Sequence, residues 1–263
     1  MSFLRLREVS VEFPIYQAGS RSLKKALLAS STRGNLGRDA HDRINVRALT
    51  DVSLDIGEGD RVALIGLNGA GKTTLLKVLA GVYEPTRGYF TSSGRVSSLL
   101  DISLGFNLDA TGRENIILRG MYMGIHPQEM RRRAAEVAEF SELGDYLDMP
   151  VRTYSAGMMI RLGFAASTCI PPDILIMDEW LAAGDAKFLE KAQRRIEGFV
   201  ESSSILVLAS HSLDLVEQWC NSGILLHQGR SLIVGPVAEI VAAYRRLVEF
   251  GPPPDLPAVA AVG

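Results

Sequence analysis

Cysteine is nearly absent: Cys169 and Cys220 are the two thiols in 263 residues. Two are too few for a disulfide framework or a zinc cluster, and they fit a reducing cytosol as small apolar residues of a core. No apolar run reaches the ~18 residues that a membrane span requires. The opening Met-Ser-Phe-Leu-Arg-Leu-Arg puts charge where a secretory leader needs an apolar stretch. Charge of neither sign dominates, since the formal net charge is −2; a global basic field for nucleic acid is thereby excluded. Internal repeats and low-complexity tracts are also missing. What remains is 47% hydrophobic and 22% charged residues. That balance excludes wholesale disorder, and the length suits one domain or two small ones with a sizeable core.

The chain opens with β-rich segments, Phe3–Arg7 and Val9–Phe13. Val52–Ile56 and the apolar Arg61–Ile65 follow, separated by a Gly57-Glu58-Gly59-Asp60 turn. Between them, residues 17–48 hold seven Lys/Arg against two Asp, a local +5. Within this stretch Ser22–Ala29 has the spacing of a short amphipathic helix, and Ser30–Arg38 has loop composition. Residues 111–150 read as mainly helical, with a start at His126-Pro127 and a stop at Pro150. Strands at Ile174–Met177, Ile205–Ala209 and Ile224–Leu226 then alternate with helices. The last of them turns through Gln228-Gly229-Arg230 into Ser231–Val234, and a helix over Val237–Val248 precedes a Pro-rich tail, 251–263.

Gly66-Leu-Asn68-Gly69-Ala70-Gly71-Lys72-Thr73 fits G-x-x-x-x-G-K-[ST], with a strand before it and a helix opening at Lys72 and running on through Thr74. The glycines let successive backbone N–H groups face a phosphate, and the helix adds its N-terminal dipole. In such a loop the lysine neutralises β/γ-phosphate charge and the threonine hydroxyl ligates Mg²⁺. Ile174-Leu-Ile-Met-Asp178-Glu179 is an apolar strand ending in two acids, 106 residues beyond Lys72. Acids at the carboxyl end of a buried parallel strand face the ligand crevice. Asp178 is assigned there to the Mg²⁺ shell and Glu179 to polarising the attacking water as general base.

Three further pieces lie in a fixed order around this strand. Tyr154-Ser155-Ala156-Gly157-Met158 stands 23 residues before Asp178, counting from Ser155. Asp185 follows Glu179 closely, and His211 follows the strand Ile205–Ala209. Taken singly, Ser155 is an ordinary helix cap and His211 an ordinary structural histidine. Together with the phosphate loop they make the chain resemble the ATP-binding subunits of ABC transporters, from about Phe3 to Phe250.

The resemblance implies an α/β P-loop NTPase of ABC type: a RecA-like core with an antiparallel β-subdomain and a helical subdomain. Residues 1–250 would form this domain, with the basic insertion at 17–48 and the helical subdomain at about 103–165. It implies a homodimer packed head to tail, with ATP between one phosphate loop and the partner's Ser155, Ala156 and Gly157. Asp185 would bridge the two sites, and His211 would contact the γ-phosphate and hold the water and Glu179 in register. A separate integral-membrane permease dimer would carry the cargo, with this chain peripheral at the cytoplasmic face of the membrane.

The variants Tyr-Ser-Ala-Gly-Met-Met-Ile-Arg-Leu162, Gly105-Phe-Asn-Leu-Asp-Ala-Thr-Gly-Arg-Glu-Asn115 and Asp178-Glu-Trp-Leu-Ala-Ala-Gly-Asp185 are similar to the polysaccharide exporters of that family. Lipid-linked polysaccharide is then the implied cargo. The family's usual Gln in the loop after the β-segment is missing: Ile102 stands there, with Asp101 adjacent. Either Asp101 substitutes toward Mg²⁺ or a water fills the gap, and Mg²⁺ chemistry permits both. The adenine-stacking ring is Phe13 or Tyr16, with register favouring Phe13. With few residues after the last helix, the family's optional C-terminal glycan-binding β-sandwich is not expected here.

The basic stretch reads either as a solvated loop or as a contact for anionic head groups, a lipid pyrophosphate or a permease. Neutralising Arg21, Lys24 and Lys25 is then expected to lower transport more than basal ATPase. Other functions fit less well. The 82 residues from Thr73 to Ser155 leave no room for the long coiled coil of a repair ATPase, and translation factors carry two such domains. An importer's ATPase would share the site; the missing Gln and the Tyr-Ser-Ala-Gly form favour an exporter. An Asn-Lys-x-Asp guanine reader does not occur, which argues against a GTPase.

Overall fold

A computed structural model describes residues 1–14, 36–38, 44–102, 104–178 and 186–251. The chain divides into two compact units, Met1–Gly94 with Val207–Gly263, and Arg95–Leu206.

The first unit carries an antiparallel sheet in the order β2-β3-β1-β5, formed by β1 (Phe3–Pro14), β2 (Leu36–Arg38), β3 (Ile44–Ile56) and β5 (Arg87–Ser93). The two N-terminal β-rich runs are one strand, bent at Glu8, whose φ of 49° marks a bulge. Its amide donates to Ser53 Oγ at 2.9 Å, which satisfies the donor the bulge takes out of the ladder. Leu4, Leu6, Val9 and Val11 of β1 and Leu49, Val52 and Ile56 of β3 form the buried face.

Leu36–Arg38 corrects the loop expectation for Ser30–Arg38. The Leu36, Gly37 and Arg38 backbone pairs with Val46, Asn45 and Ile44 of β3. Composition missed it because an edge strand forms through pairing to a longer neighbour, not through β-propensity of its own. The amphipathic reading of Ser22–Ala29 lies outside the described residues.

The same unit holds β4 (Arg61–Ile65), parallel to β9 (Ser222–His227), which turns back antiparallel into β10 (Arg230–Pro236). β4 is buried from Val62 to Ile65, as a continuous apolar run requires when both faces are covered. The turn has two residues, Gln228 at φ 47° and Gly229 at φ 79°. Two successive positive φ values are the pattern of a primed hairpin turn, which matches strand twist. Helix α1 (Lys72–Leu79) follows β4, and helix α7 (Val237–Phe250) packs on β4, β9 and β10.

The second unit holds β6 (Val96–Ser98) and β7 (Ile174–Asp178), paired in parallel, and the helices α2 (Gly112–Tyr122), α3 (Pro127–Ser141), α4 (Ala156–Ser167) and α5 (Ala186–Ser202). β8 (Ile205–Ala209) leads the chain back into the first unit, where helix α6 (Leu213–Trp219) follows it. Three helix starts of this unit carry local caps. Thr111 and Glu114 form a reciprocal capping box on α2, His126 caps α3 with Pro127 at its first position, and Ser155 caps α4.

Ile116, Met130, Val137, Leu147, Val151, Leu162 and Cys169 are buried among α2, α3 and α4. Arg119 is buried with them, at 1% exposure. Its Nε donates to Ser167 Oγ at 2.9 Å and one terminal nitrogen donates to the Leu104 carbonyl at 2.6 Å. Ile102, which stands where the family has Gln, is buried at 6%. A Cβ on Gly163 of α4 would strike its carbonyl. The loop after β6 is therefore seated on α4 by backbone contact and held to α2 by Arg119. Among the described residues no helix is long and apolar enough to cross a membrane.

Candidate functional site

The phosphate-loop sequence folds as a loop between β4 and α1. Gly66 is packed so closely that a Cβ there would strike the Leu226 carbonyl of β9. Leu67, Asn68 and Gly69 then turn outward into solvent, and Ala70 returns to the interior at 3% exposure. The Ala70 amide closes the turn onto the Leu67 carbonyl at 3.0 Å. Gly71 caps α1 with φ 103°, and a Cβ there would lie 2.7 Å from the Ala48 carbonyl. The position requires glycine on both counts: the left-handed backbone and the close approach of β3.

Lys72 opens α1 and reaches back, its Nζ donating to the Gly66 carbonyl at 2.7 Å and the Leu67 carbonyl at 3.3 Å. Thr73 is exposed and Thr74 half-buried on the same first turn. The first amides of a helix have no intrahelical partner, so this end presents donors and a partial positive charge. A Cβ on Gly69 would meet nothing within 4 Å, so the space before the loop is open. Donor amides and one ammonium group facing open space fit a polyphosphate.

His211 sits in the same unit, exposed in the short turn between β8 and α6. The turn is fixed from both sides: the Ser212 amide donates to Ser210 Oγ at 3.1 Å, and Ser212 Oγ caps α6 by accepting from Leu215 N at 3.4 Å. Phe13 is the last residue but one of β1, at 37% exposure, with its ring edge-on to Tyr83 at 5.3 Å. Lys77 of α1 lies 5.2 Å from the Tyr83 ring, a cation–π contact. Tyr16, the other candidate for adenine, lies outside the described residues.

In the second unit, Asp178 is the last residue of β7 and half-buried. Glu179 and Asp185 lie outside the described residues. Asp101 is exposed next to buried Ile102 and contributes to the electrostatic surroundings of Arg119. Desolvation pulls the Arg119 pKa below the ordinary arginine value, with Tyr122 and Asp101 opposing it. Ser155 caps α4, its Oγ accepting from Met158 N at 3.2 Å. That bond uses a lone pair of the hydroxyl and leaves its proton to donate outward beside the amides of Ala156 and Gly157.

Two functional residues were not visible as such in the sequence. Gly229 was legible as a turn, but not as a partner of the phosphate loop. Its amide donates to the Ala70 carbonyl at 2.9 Å. Arg119 stands in the otherwise apolar Ile116-Ile-Leu-Arg119-Gly-Met121, and nothing in that stretch marks it as the buried anchor of the loop after β6.

A β-strand, phosphate loop and helix with a lysine folded over the loop mouth define a P-loop nucleotide-binding domain. Residues 49–182 match the family described as ABC transporter. The chain is 39% identical over 229 residues to the O-antigen export system ATP-binding protein RfbE of Yersinia enterocolitica, covering 87% of this chain and 96% of that one. It is 43% identical over 213 residues to the O-antigen export system ATP-binding protein RfbB of Myxococcus xanthus, covering 81% of this chain and 49% of that protein. The chain thus spans about half the length of the Myxococcus relative and nearly all of the Yersinia one. The teichoic acids export ATP-binding protein TagH of Bacillus cereus is 35% identical, over 94% of this chain and 43% of its own length. Among solved structures, an ATP-binding subunit of an ABC transporter aligns with a TM-score of 0.64 at 23% identity, covering 92% of this chain and 93% of that one. The dimeric cassette MJ0796 aligns at 0.62 and 20% identity, over 89% and 98%. The chain belongs to the ABC transporter family, as one of its ATP-binding, ATP-hydrolysing cassettes.

Proposed function

We propose that this chain powers export of a lipid-linked polysaccharide, acting at the cytoplasmic face of the membrane beside a separate permease dimer. The observation that carries this reading is identity over nearly the whole chain to an ATP-binding protein of O-antigen export, joined to a formed phosphate loop.

In this reading the amides of Gly69, Ala70, Gly71 and Lys72, with Asn68 at the loop's tip, wrap the β- and γ-phosphates. Lys72 Nζ exchanges the Gly66 and Leu67 carbonyls for phosphate oxygens. Thr73 and Asp178 would hold Mg²⁺, with Asp101 or a water beside them, and Thr74 would bind the nucleotide from the same turn. Mg²⁺ supplies charge neutralisation on the β/γ oxygens. Glu179 takes a proton from water as its oxygen bonds to the γ-phosphorus, and the bond to the bridging oxygen breaks to leave ADP. His211 holds the γ-phosphate and the water in register. Phe13 or Tyr16 stacks on adenine.

A second copy supplies Ser155, Ala156 and Gly157 to the same γ-phosphate, with Asp185 between the two sites. The catalysis is positioning and charge stabilisation, with closing of the dimer as its power stroke.

The test replaces the chromosomal copy with Lys72→Ala in the host. The expected result is loss of surface polysaccharide with lipid-linked polymer accumulating in the cytoplasmic membrane. Normal surface polysaccharide in that strain would overturn the reading.

A further inference from the structure

Tyr154 immediately precedes Ser155, the cap of α4. Its side chain is buried, at 9% exposure. Its hydroxyl donates to the Tyr146 carbonyl at 2.6 Å, in the helical turn Gly144–Asp148. Burial raises the Tyr154 pKa, so the phenol stays protonated and donating. A Cβ on Gly112, the first residue of α2, would run into that hydroxyl. The space for the oxygen thus comes from one residue and the acceptor from another. A leucine at this place would fill the ring's volume in part and make no hydrogen bond.

The segment leading to Ser155 is held upstream by its backbone. The Val151 amide donates to the Ala110 carbonyl at 3.0 Å, Arg152 to Leu108 at 2.8 Å, and Gly112 to Met149 at 3.3 Å. Arg152 also pairs with Asp109 at 2.6 Å. These ties reach residue 152. Beyond it, Thr153 and Tyr154 donate their amides to Pro150 and Val151 within the same turn, which shapes the turn without fixing it to its surroundings. The Tyr154 side chain supplies a tie to neighbouring structure at the residue adjoining Ser155.

We infer that Tyr154 is a positioning residue: its hydroxyl, anchored on the Tyr146 carbonyl, sets where the start of α4 presents Ser155 Oγ and the Ala156 and Gly157 amides to the nucleotide held by a second copy. The inference rests on the proposed role of Ser155 toward the partner's γ-phosphate. A group that must meet a phosphate across a dimer interface tolerates little displacement, because small misplacements at a reacting centre cost large factors in rate. In that reading this segment acts on the second copy's nucleotide, so its displacement is expected to change kcat and not ATP affinity.

The test is a double-mutant cycle on the full chain: wild type, Tyr154→Phe, Ser155→Ala and the double variant. Steady-state hydrolysis, ATP affinity and thermal unfolding are measured on each. Tyr154→Phe is expected to lower kcat about five- to tenfold while ATP affinity stays within about twofold. The double variant is expected to fall no more than about twofold below Ser155→Ala, since a group acting through Ser155 loses its effect once Ser155 is gone.

Full kcat in Tyr154→Phe with a clear loss in Ser155→Ala would overturn the inference and leave the role of Ser155 intact. Losses that multiply in the double variant would make Tyr154 an independent structural residue and overturn it too. Full kcat in Ser155→Ala would overturn the role of Ser155 and the inference together. If Tyr154→Phe does not fold, Tyr154→Leu takes its place in the same cycle, and full kcat there overturns the inference.

Discussion

The amide of Gly229 donates to the carbonyl of Ala70 at 2.9 Å, and its own carbonyl accepts from the Thr50 amide at 2.8 Å. One turn residue therefore ties the phosphate loop to β3 of the antiparallel sheet. Gly229 sits at φ 79°, and a Cβ there would lie 2.7 Å from the Ala48 carbonyl. Gly229→Ala is expected to destabilise the chain by about 1–3 kcal/mol through backbone strain. It is also expected to reduce the thermal stabilisation given by MgATP, because the loop loses its tether. Denaturant unfolding with and without nucleotide checks both; unchanged stability and unchanged nucleotide response would contradict the arrangement.

Lys72 Nζ donates to two carbonyls of the outward-turned phosphate loop itself, Gly66 at 2.7 Å and Leu67 at 3.3 Å. Its removal is therefore expected to spare the fold. Lys72→Ala should leave the nucleotide-free melting temperature within about 2 °C. ATP hydrolysis should fall by about 10²-fold or more, the range for loss of one charge-stabilising donor. A large fall in melting temperature without nucleotide would mean that the side chain is structural.

Arg119 carries a buried charge whose pKa desolvation lowers, yet it holds both Ser167 and the Leu104 carbonyl. Losing two charge-assisted bonds outweighs relief of desolvation where both acceptors stay behind in place. Arg119→Met is expected to cost about 1–3 kcal/mol. Arg119→Lys should not restore the loss, since an ammonium cannot reach both acceptors with the planar fork of a guanidinium. Equilibrium unfolding of the two variants decides; a melting temperature at or above that of the wild type would show that desolvation dominates.

Burial pushes the Cys169 thiol up to about 11 and the Cys220 thiol up to about 12. A raised thiol pKa lowers the reactive thiolate fraction at any pH below it, to about one part in a thousand at pH 8 for Cys169. Neither thiol should react with a maleimide in the folded chain at pH 8, and both should react after unfolding. Mass spectrometry after timed labelling measures this. Rapid labelling of either in the folded chain would contradict its burial.

Much of the site was legible because its chemistry is local. A strand such as Arg61–Ile65 followed by a glycine loop and Lys72 needs no distant residue to be recognised. Ser155 and Thr111 announce their helices because a cap is a short-range hydrogen bond. What sequence reading missed is tertiary. Leu36–Arg38 pairs because β3 offers an edge. Phe3–Arg7 and Val9–Phe13 looked like two strands because the bulge at Glu8 shifts the alternation. Arg119 could not be placed from the sequence because its acceptors, Ser167 and Leu104, come from other segments of the chain. Gly163 carries no signal of its own in the sequence, yet the Ile102 carbonyl occupies the space a side chain would need.

The most direct test of the account is ATP hydrolysis by the purified chain, alone and reconstituted with the proposed membrane permease, with and without lipid-linked polysaccharide. The account predicts hydrolysis that rises with permease and again with the glycan, and that Glu179→Gln lowers by about 10²–10⁴-fold with ATP binding intact. Hydrolysis that neither the permease nor the glycan changes would contradict the export function.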